Sequence, residues 1–300
     1  MASLRFGRLA VITLLAACGV ASAQTPGDTI SRIKSTKTIT LGVREAARPF
    51  SYLDENKRPV GYSVDLCLAA VEELKRELKL PELQVQYKVV SGAERIPKLL
   101  AREIDLECGS TTNTKARQEQ VAFSYTMFVA QMRVLTPKDT PVTTLKDLDG
   151  LPLALSKGTT SEKLFTRLAE TEVHLKLQVF PNNNEAYAAL KAGKVRAFAQ
   201  DDSLLQGLAS ADGSADKFQL STLALSVEPY GVMVRKDDKA LLAAVDRTLA
   251  RLYASGEADT LYRKWFVGDK LAIKMSRMTR DSILRPNKEA GVAMVLGYQL

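Results

Sequence analysis

The chain has 300 residues, 46% of them hydrophobic and 25% charged, which is ordinary globular composition with room for two moderate domains. Its formal charge of +8 comes from basic residues scattered among acids, without a run of five or six. That pattern argues against a nucleic-acid-binding arm and is compatible with a small anionic ligand.

The first 24 residues, MASLRFGRLAVITLLAACGVASAQ, place Arg5 and Arg8 before an apolar stretch and end on Ala21-Ser22-Ala23. This is the pattern of an export signal over 1–23, with the mature chain beginning near Gln24. Cleavage there lowers the charge from +8 to +6, because the leader carries two arginines and no acid. Leu15-Ala16-Ala17-Cys18 offers the alternative of a lipoprotein anchored through Cys18. No later segment has the roughly 20 apolar residues of a membrane span. Beyond the leader only Cys67 and Cys108 remain, and an even count in an exported chain invites a disulfide. Two buried, unbonded thiols are the alternative. The single histidine, His174, has no Cys or His nearby, so neither a metal site nor a nucleophile–His–acid set is expected.

In chain order, Thr38–Val43 reads as a buried strand, followed by a turn at Asp54–Arg58. A helix follows over Asp65–Leu80, with a strand at Leu83–Val90, a helix at Ile96–Arg102 and a strand at Ile104–Cys108. A second unit runs from a short helix at Leu145–Leu148 through a strand at Leu153–Leu155 and a helix from Gly158 to Leu168. Then come a strand at Leu177–Phe180, a helix at Asn184–Ala192 and a strand at Arg196–Ala199. Tyr230–Arg235 reads as a strand and Lys239–Ser255 as a long amphipathic helix, while 271–300 is less periodic. Alternating strands and helices predict α/β units with parallel sheets, whose ligands bind beyond the carboxyl ends of the strands.

Eight motifs in order carry a more specific signal: VREAARPFSY, GYSVDLC, RIPKLL, DLECGSTTNTKARQEQVAFS, GTTSE, FAQDDSLL, EPYGVMVRKDD and SGEADTLYRKWF. From Ile39 to Phe266 the chain resembles the periplasmic solute-binding proteins of the polar amino-acid class, above all the glutamate/aspartate-binding proteins of ABC importers. The resemblance implies a two-lobe clamshell, each lobe a mostly parallel sheet flanked by helices, joined by a two-strand hinge near Val134–Thr136 and Val227–Tyr230. Lobe 1 would comprise 36–133 and 229–300, and lobe 2 138–225. It further implies a periplasmic monomer that takes L-glutamate or L-aspartate, needs no cofactor and delivers its ligand to an inner-membrane ABC permease.

The residue chemistry fits that expectation. A free amino acid brings a carboxylate and an ammonium, and neither is buried cheaply without a partner. Ser110, Thr112 and Arg117 match the family's α-carboxylate grip, and Thr160, at a helix start, closes on the same group. Taken alone, the same loops read equally as helix caps. Asp201 matches the amine-binding aspartate, with Asp202 as its one-residue alternative. Arg44 and Arg95 match the arginines that hold a side-chain carboxylate. There are two departures from the pattern. Asn183 stands where close relatives have a histidine, and Gly92 stands where they have a serine, with Ser91 one residue earlier. Both favour the rival ligand class, a neutral amide such as glutamine or asparagine. A dehydratase-like enzyme on the same fold is the rival from another class. Phe50, Tyr52 and Tyr230 read as core or cleft wall, Trp265 as packing, and Arg48 has no assigned role.

Overall fold

The computed structural model describes residues 29–268, 271–294 and 298–299. The leader, with Cys18 and both of its processing sites, lies outside the described residues.

The chain opens with helix α1 (Thr29–Thr36) and strands β1 (Thr38–Val43), β2 (Ala46–Ala47), β3 (Ser51–Leu53) and β4 (Pro59–Val60). Helix α2 (Tyr62–Leu78), β5 (Gln84–Val89), α3 (Arg95–Leu100), β6 (Leu106–Glu107), α4 (Lys115–Gln118) and β7 (Val121–Phe123) follow. The ten-residue β8 (Phe128–Pro137) leaves this unit. The second unit holds β9 (Pro152–Ser156), α5 (Thr160–Thr171), β10 (Lys176–Phe180), α6 (Asn183–Lys191), β11 (Ala197–Asp201), α7 (Asp202–Ala211) and β12 (Phe218–Leu220). Strand β13 (Ser226–Tyr230) leads back to β14 (Met233–Arg235), α8 (Lys239–Ser255), α9 (Glu257–Phe266) and α10 (Arg277–Leu284), before β15 (Val292–Ala293) and β16 (Tyr298–Gln299).

The first sheet runs β5-β1-β6-β14-β7, parallel across β5, β1 and β6 and antiparallel beyond. The second runs β10-β9-β11-β8-β13-β15-β16, with β12 also on β8; it is parallel across β10, β9 and β11 and antiparallel at each pairing beyond. Both sheets are therefore mixed: β14 runs against its neighbours in the first, and β8 against its neighbours in the second.

Strands β8 and β13 are the two crossings, paired from Ser226↔Met132 to Tyr230↔Phe128. The core changes over along them. Phe128, Ala130 and Tyr230 belong to the first cluster, with Phe50, Tyr62 and Phe266, while Met132 and Val134 belong to the second. The segment after α9 serves both units. Thr279 of α10 bonds to both backbone groups of Val129, whereas Ala293 packs in the second core.

The long helices form where the sequence predicts. Helix α8 spans the expected residues and ends at Gly256, whose φ of 76° is the left-handed cap that glycine adopts freely. Helix α2 begins three residues earlier than expected, at Tyr62. Its N-cap Gly61 has φ 135°, and a Cβ there would lie 2.2 Å from the Phe50 carbonyl oxygen. Two strand expectations are corrected. Ile104–Cys108 shortens to Leu106–Glu107, the part that pairs with β1. Tyr230–Arg235 is two strands in different sheets. At Gly231 the backbone turns to donate to the Thr111 carbonyl, and so leaves β8 for β7. The weakly periodic C-terminal stretch contains α10, whose Ser276 cap accepts from the Thr279 amide.

Cys67 of α2 and Cys108, just after β6, form a disulfide with Cα atoms 6.2 Å apart. It ties α2 to the strand end that carries Ser110.

Candidate functional site

The carboxyl ends of β1, β6, β9 and β11 converge on a narrow cleft between the units, with about 10 Å³ of free space, room for about one water molecule. Arg44, Arg95, Ser110, Thr112, Thr160, Asn183 and Asp201 all line it. Arg117 lies beside it, in a neighbouring groove shared with Thr114 and Thr160.

The loop after β6 is stitched to the crossing strand. Thr112 bridges to Tyr230, and the Asn113 amide donates to the Pro229 carbonyl at 2.7 Å. Thr114 caps α4, which aims Arg117 back along the loop, where Nη1 donates to the Thr112 carbonyl (2.9 Å) and Nη2 to that of Gly158 (3.3 Å). Arg95 begins α3. Its Nη1 donates to Thr111 Oγ1 (2.7 Å) and its Nη2 to the same Gly158 carbonyl (3.1 Å). Arg44 follows β1, with its backbone amide fixed on Ser51 Oγ (2.9 Å) and its Nε buried without a partner.

Three guanidiniums thus share one desolvated region. Burial, and then Arg95, push Arg44 down to about 10 and Arg117 down to about 9, and burial lowers Arg95 as well. All three remain cationic near neutrality, so the region favours anions.

The facing unit supplies a helix start and an acid. Thr159 caps α5 by accepting from the Glu162 amide (3.1 Å), which leaves Thr160 in the first turn at the cleft. The Thr160 hydroxyl donates to Glu228 Oε2 at 3.0 Å. Asp201 ends β11. One carboxylate oxygen accepts from the Tyr230 hydroxyl, and the other, Oδ1, is buried without a partner. Burial, followed by the proximity of Glu228, raises this carboxyl well above its usual range. Asp202 is directed elsewhere, to the amides of Gln131 and Ser203.

Asn183 reaches across the cleft. Its Nδ2 donates to the Ala46 carbonyl (2.9 Å), while its Oδ1 accepts from Gln200 (3.0 Å). The Ser91 hydroxyl accepts from the Glu94 amide (3.2 Å), in the turn before α3, and does not line the cleft. Gly92 has a steric reason. A Cβ at this position would lie 2.6 Å from the Lys157 carbonyl oxygen, and one on Gly158 would lie 2.5 Å from the Ala93 amide. The units meet here backbone to backbone, and the structure is the closed arrangement.

Thr159, Gln200 and Leu204 also line the cleft, and Glu107 and Glu228 are fully buried behind it. Sequence reasoning passed over all five. All five lie inside the family motifs: Glu107 in DLECGS, Thr159 in GTTSE, Gln200 and Leu204 in FAQDDSLL, and Glu228 in EPYG. Arg48 lies outside the cleft, 3.8 Å over the Tyr52 ring. Phe50 and Tyr230 are core residues, and Trp265 donates to Asp65 at 2.7 Å.

Residues 39–268 match the model of the bacterial extracellular solute-binding proteins, family 3. The chain is 38% identical over 293 residues to an L-glutamate/L-aspartate-binding protein of Pseudomonas aeruginosa, covering 95% of this chain and 97% of that protein. It is 36% identical over 268 residues to a glutamate/aspartate import solute-binding protein of Escherichia coli, covering 88% and 89%. Among solved structures it is similar to a histidine-bound ABC uptake transporter substrate-binding protein from Streptococcus pneumoniae, with a TM-score of 0.73, 26% identity and coverage of 83% and 100%.

Proposed function

The chain belongs to family 3 of the bacterial extracellular solute-binding proteins, and from that premise we propose that it is a periplasmic receptor for an acidic L-amino acid. It closes around L-glutamate or L-aspartate and presents the closed form, as a monomer, to an inner-membrane ABC permease. It performs no covalent chemistry on the ligand. The observation that carries this reading is the polarity of one small cleft. A buried carboxylate oxygen of Asp201 without a partner faces a region held by Arg44 and Arg95. An acidic amino acid has the complementary charges, one ammonium and two carboxylates.

In this reading Asp201 takes the ammonium. Ser110, Thr112 and Arg117 take the α-carboxylate from lobe 1, and the first turn of α5 at Thr160 takes it from lobe 2. Because the Thr160 hydroxyl already donates to Glu228, this contact falls to the helix amides. Arg44 and Arg95 take the side-chain carboxylate. The amide reading draws support from Asn183, which carries no charge and whose amide is committed to Ala46 and Gln200.

Calorimetry against glutamate, aspartate, glutamine and asparagine separates the two. The acids are expected to bind at least about tenfold tighter than the amides. Arg95→Ala is expected to cost the acids about 2 kcal/mol, roughly thirtyfold, and the amides little. Arg117→Ala weakens all four together, since the α-carboxylate is common to them. Equal losses for acids and amides in Arg95→Ala would remove Arg95 from the side-chain subsite.

Closure has its own test. Gly92→Ser places a Cβ against the Lys157 carbonyl. It lowers the closed fraction, and with it the apparent affinity for glutamate, about tenfold. Small-angle scattering at saturating glutamate should give a larger radius of gyration than wild type. An unchanged radius would mean that the lobes close without the Gly92–Lys157 approach.

A further inference from the structure

Glu107 is an unusual residue for its place. It lies on the central strand β6, between Gly42 of β1 and Met233 of β14, and is completely buried. Among the described residues it forms no ion pair within 4 Å. Its Oε2 accepts one hydrogen bond, from Thr111 Oγ1 at 2.7 Å, and its Oε1 has no partner. A buried carboxylate so poorly bonded is costly unless cations nearby balance it.

Two cations stand nearby. Thr111 Oγ1 accepts from Arg95 Nη1 at 2.7 Å, so Arg95, Thr111 and Glu107 form one chain of hydrogen bonds. Arg44 runs along the other side. A Cβ at Gly109 would lie 2.2 Å from Glu107 Oε1 and 3.0 Å from Arg44 Cγ. Glu107 thus reaches Arg95 through Thr111 and lies beside the aliphatic stem of Arg44, without closing a salt bridge to either.

We propose that Glu107 is a specificity-determining positioning residue, an internal counter-charge shared by Arg44 and Arg95 that leaves this end of the cleft with one net positive charge, matched to a ligand side chain bearing one negative charge. The inference rests on the reading of Arg44 and Arg95 as the side-chain subsite. The Coulombic influences support it, since Glu107 acts to keep both arginines charged against burial and, for Arg44, against Arg95.

The test is the ratio of L-glutamate to L-glutamine affinity, measured by calorimetry on the full mature chain. Glu107→Gln keeps an oxygen for Thr111 and removes the charge. It is expected to raise the ratio about tenfold, whereas structural damage alone weakens both ligands. Glu107→Asp retains the charge and should keep the ratio within about twofold. A ratio that is unchanged or falls in Glu107→Gln overturns the proposal. If Glu107→Gln fails to fold, the double variant Arg44→Gln/Glu107→Gln, which restores the charge balance, should fold cooperatively, and its failure to do so also overturns the proposal. A wild-type protein without preference for glutamate over glutamine sinks the acidic-ligand reading itself. Wild-type preference with an unmoved ratio in Glu107→Gln sinks only the role of Glu107.

Discussion

Asp201→Asn is expected to lower the affinity for every α-amino acid by about two orders of magnitude, some 3 kcal/mol, because it removes the buried counter-charge of the ammonium. The cleft offers no second acid in its place. Asp202 is turned to backbone amides, and Glu228 is occupied by Thr160 and Ser226. Asparagine keeps an oxygen for the ammonium but loses the charge, and acidic and neutral ligands should suffer alike.

The same residue sets a pH dependence. Burial and Glu228 raise the Asp201 carboxyl in the ligand-free protein, and a bound ammonium favours its charged form. Affinity therefore falls as pH drops through the raised value, and binding below it releases a proton. In linkage terms, a carboxyl raised on folding favours the folded state below its unfolded pKa. That contribution is lost as pH rises through the folded value, and a bound ligand offsets the loss. Calorimetry in buffers of different ionisation enthalpy reads the released proton. Buffer-dependent heats in wild type that persist in Asp201→Asn would assign the proton to another group.

Replacing Cys67 and Cys108 together by serine is expected to cost about 4 kcal/mol of stability. The bridge spans 41 residues, and in the chain-entropy account closing a loop of that length removes freedom from the unfolded chain on this scale. For a protein of this size the melting temperature should fall by roughly 10 °C. The effect reaches the site as well, because Cys108 stands two residues before Ser110 and is held to α2 only through this bond and its packing. Melting with and without reductant checks the claim, and coincident curves would refute it.

The long elements were legible because their signals are local. Helix α8 has apolar residues at helical spacing and a terminal glycine, and both determine its limits before any tertiary contact forms. The tight turn at Asp54–Arg58 is similar, since Asp54 accepts from the amides of Asn56 and Arg58 within a few residues. Elements that depend on distant partners were less legible. The break between β13 and β14 exists because one strand pairs with β8 and the next with β7 and β6, which lie in different sheets. Helix α10 is short and weakly patterned, and it is seated by Thr279 on Val129, 150 residues away.

The sequence by itself determined the alternation of strands and helices, the family and the residue types of the cleft, because eight ordered motifs and helical periodicity are one-dimensional properties. Seven of the eight candidate site residues do line one cleft. Only the tertiary structure decided how they stand to one another. It separated Asp201, with a free oxygen in the cleft, from Asp202, and committed Asn183 to a bond across the cleft. It gave Gly92 its steric purpose and revealed Glu107 and Glu228 as buried charges behind the arginines. Burial and charge balance are set by residues far apart in the chain, and they exist only in the folded molecule.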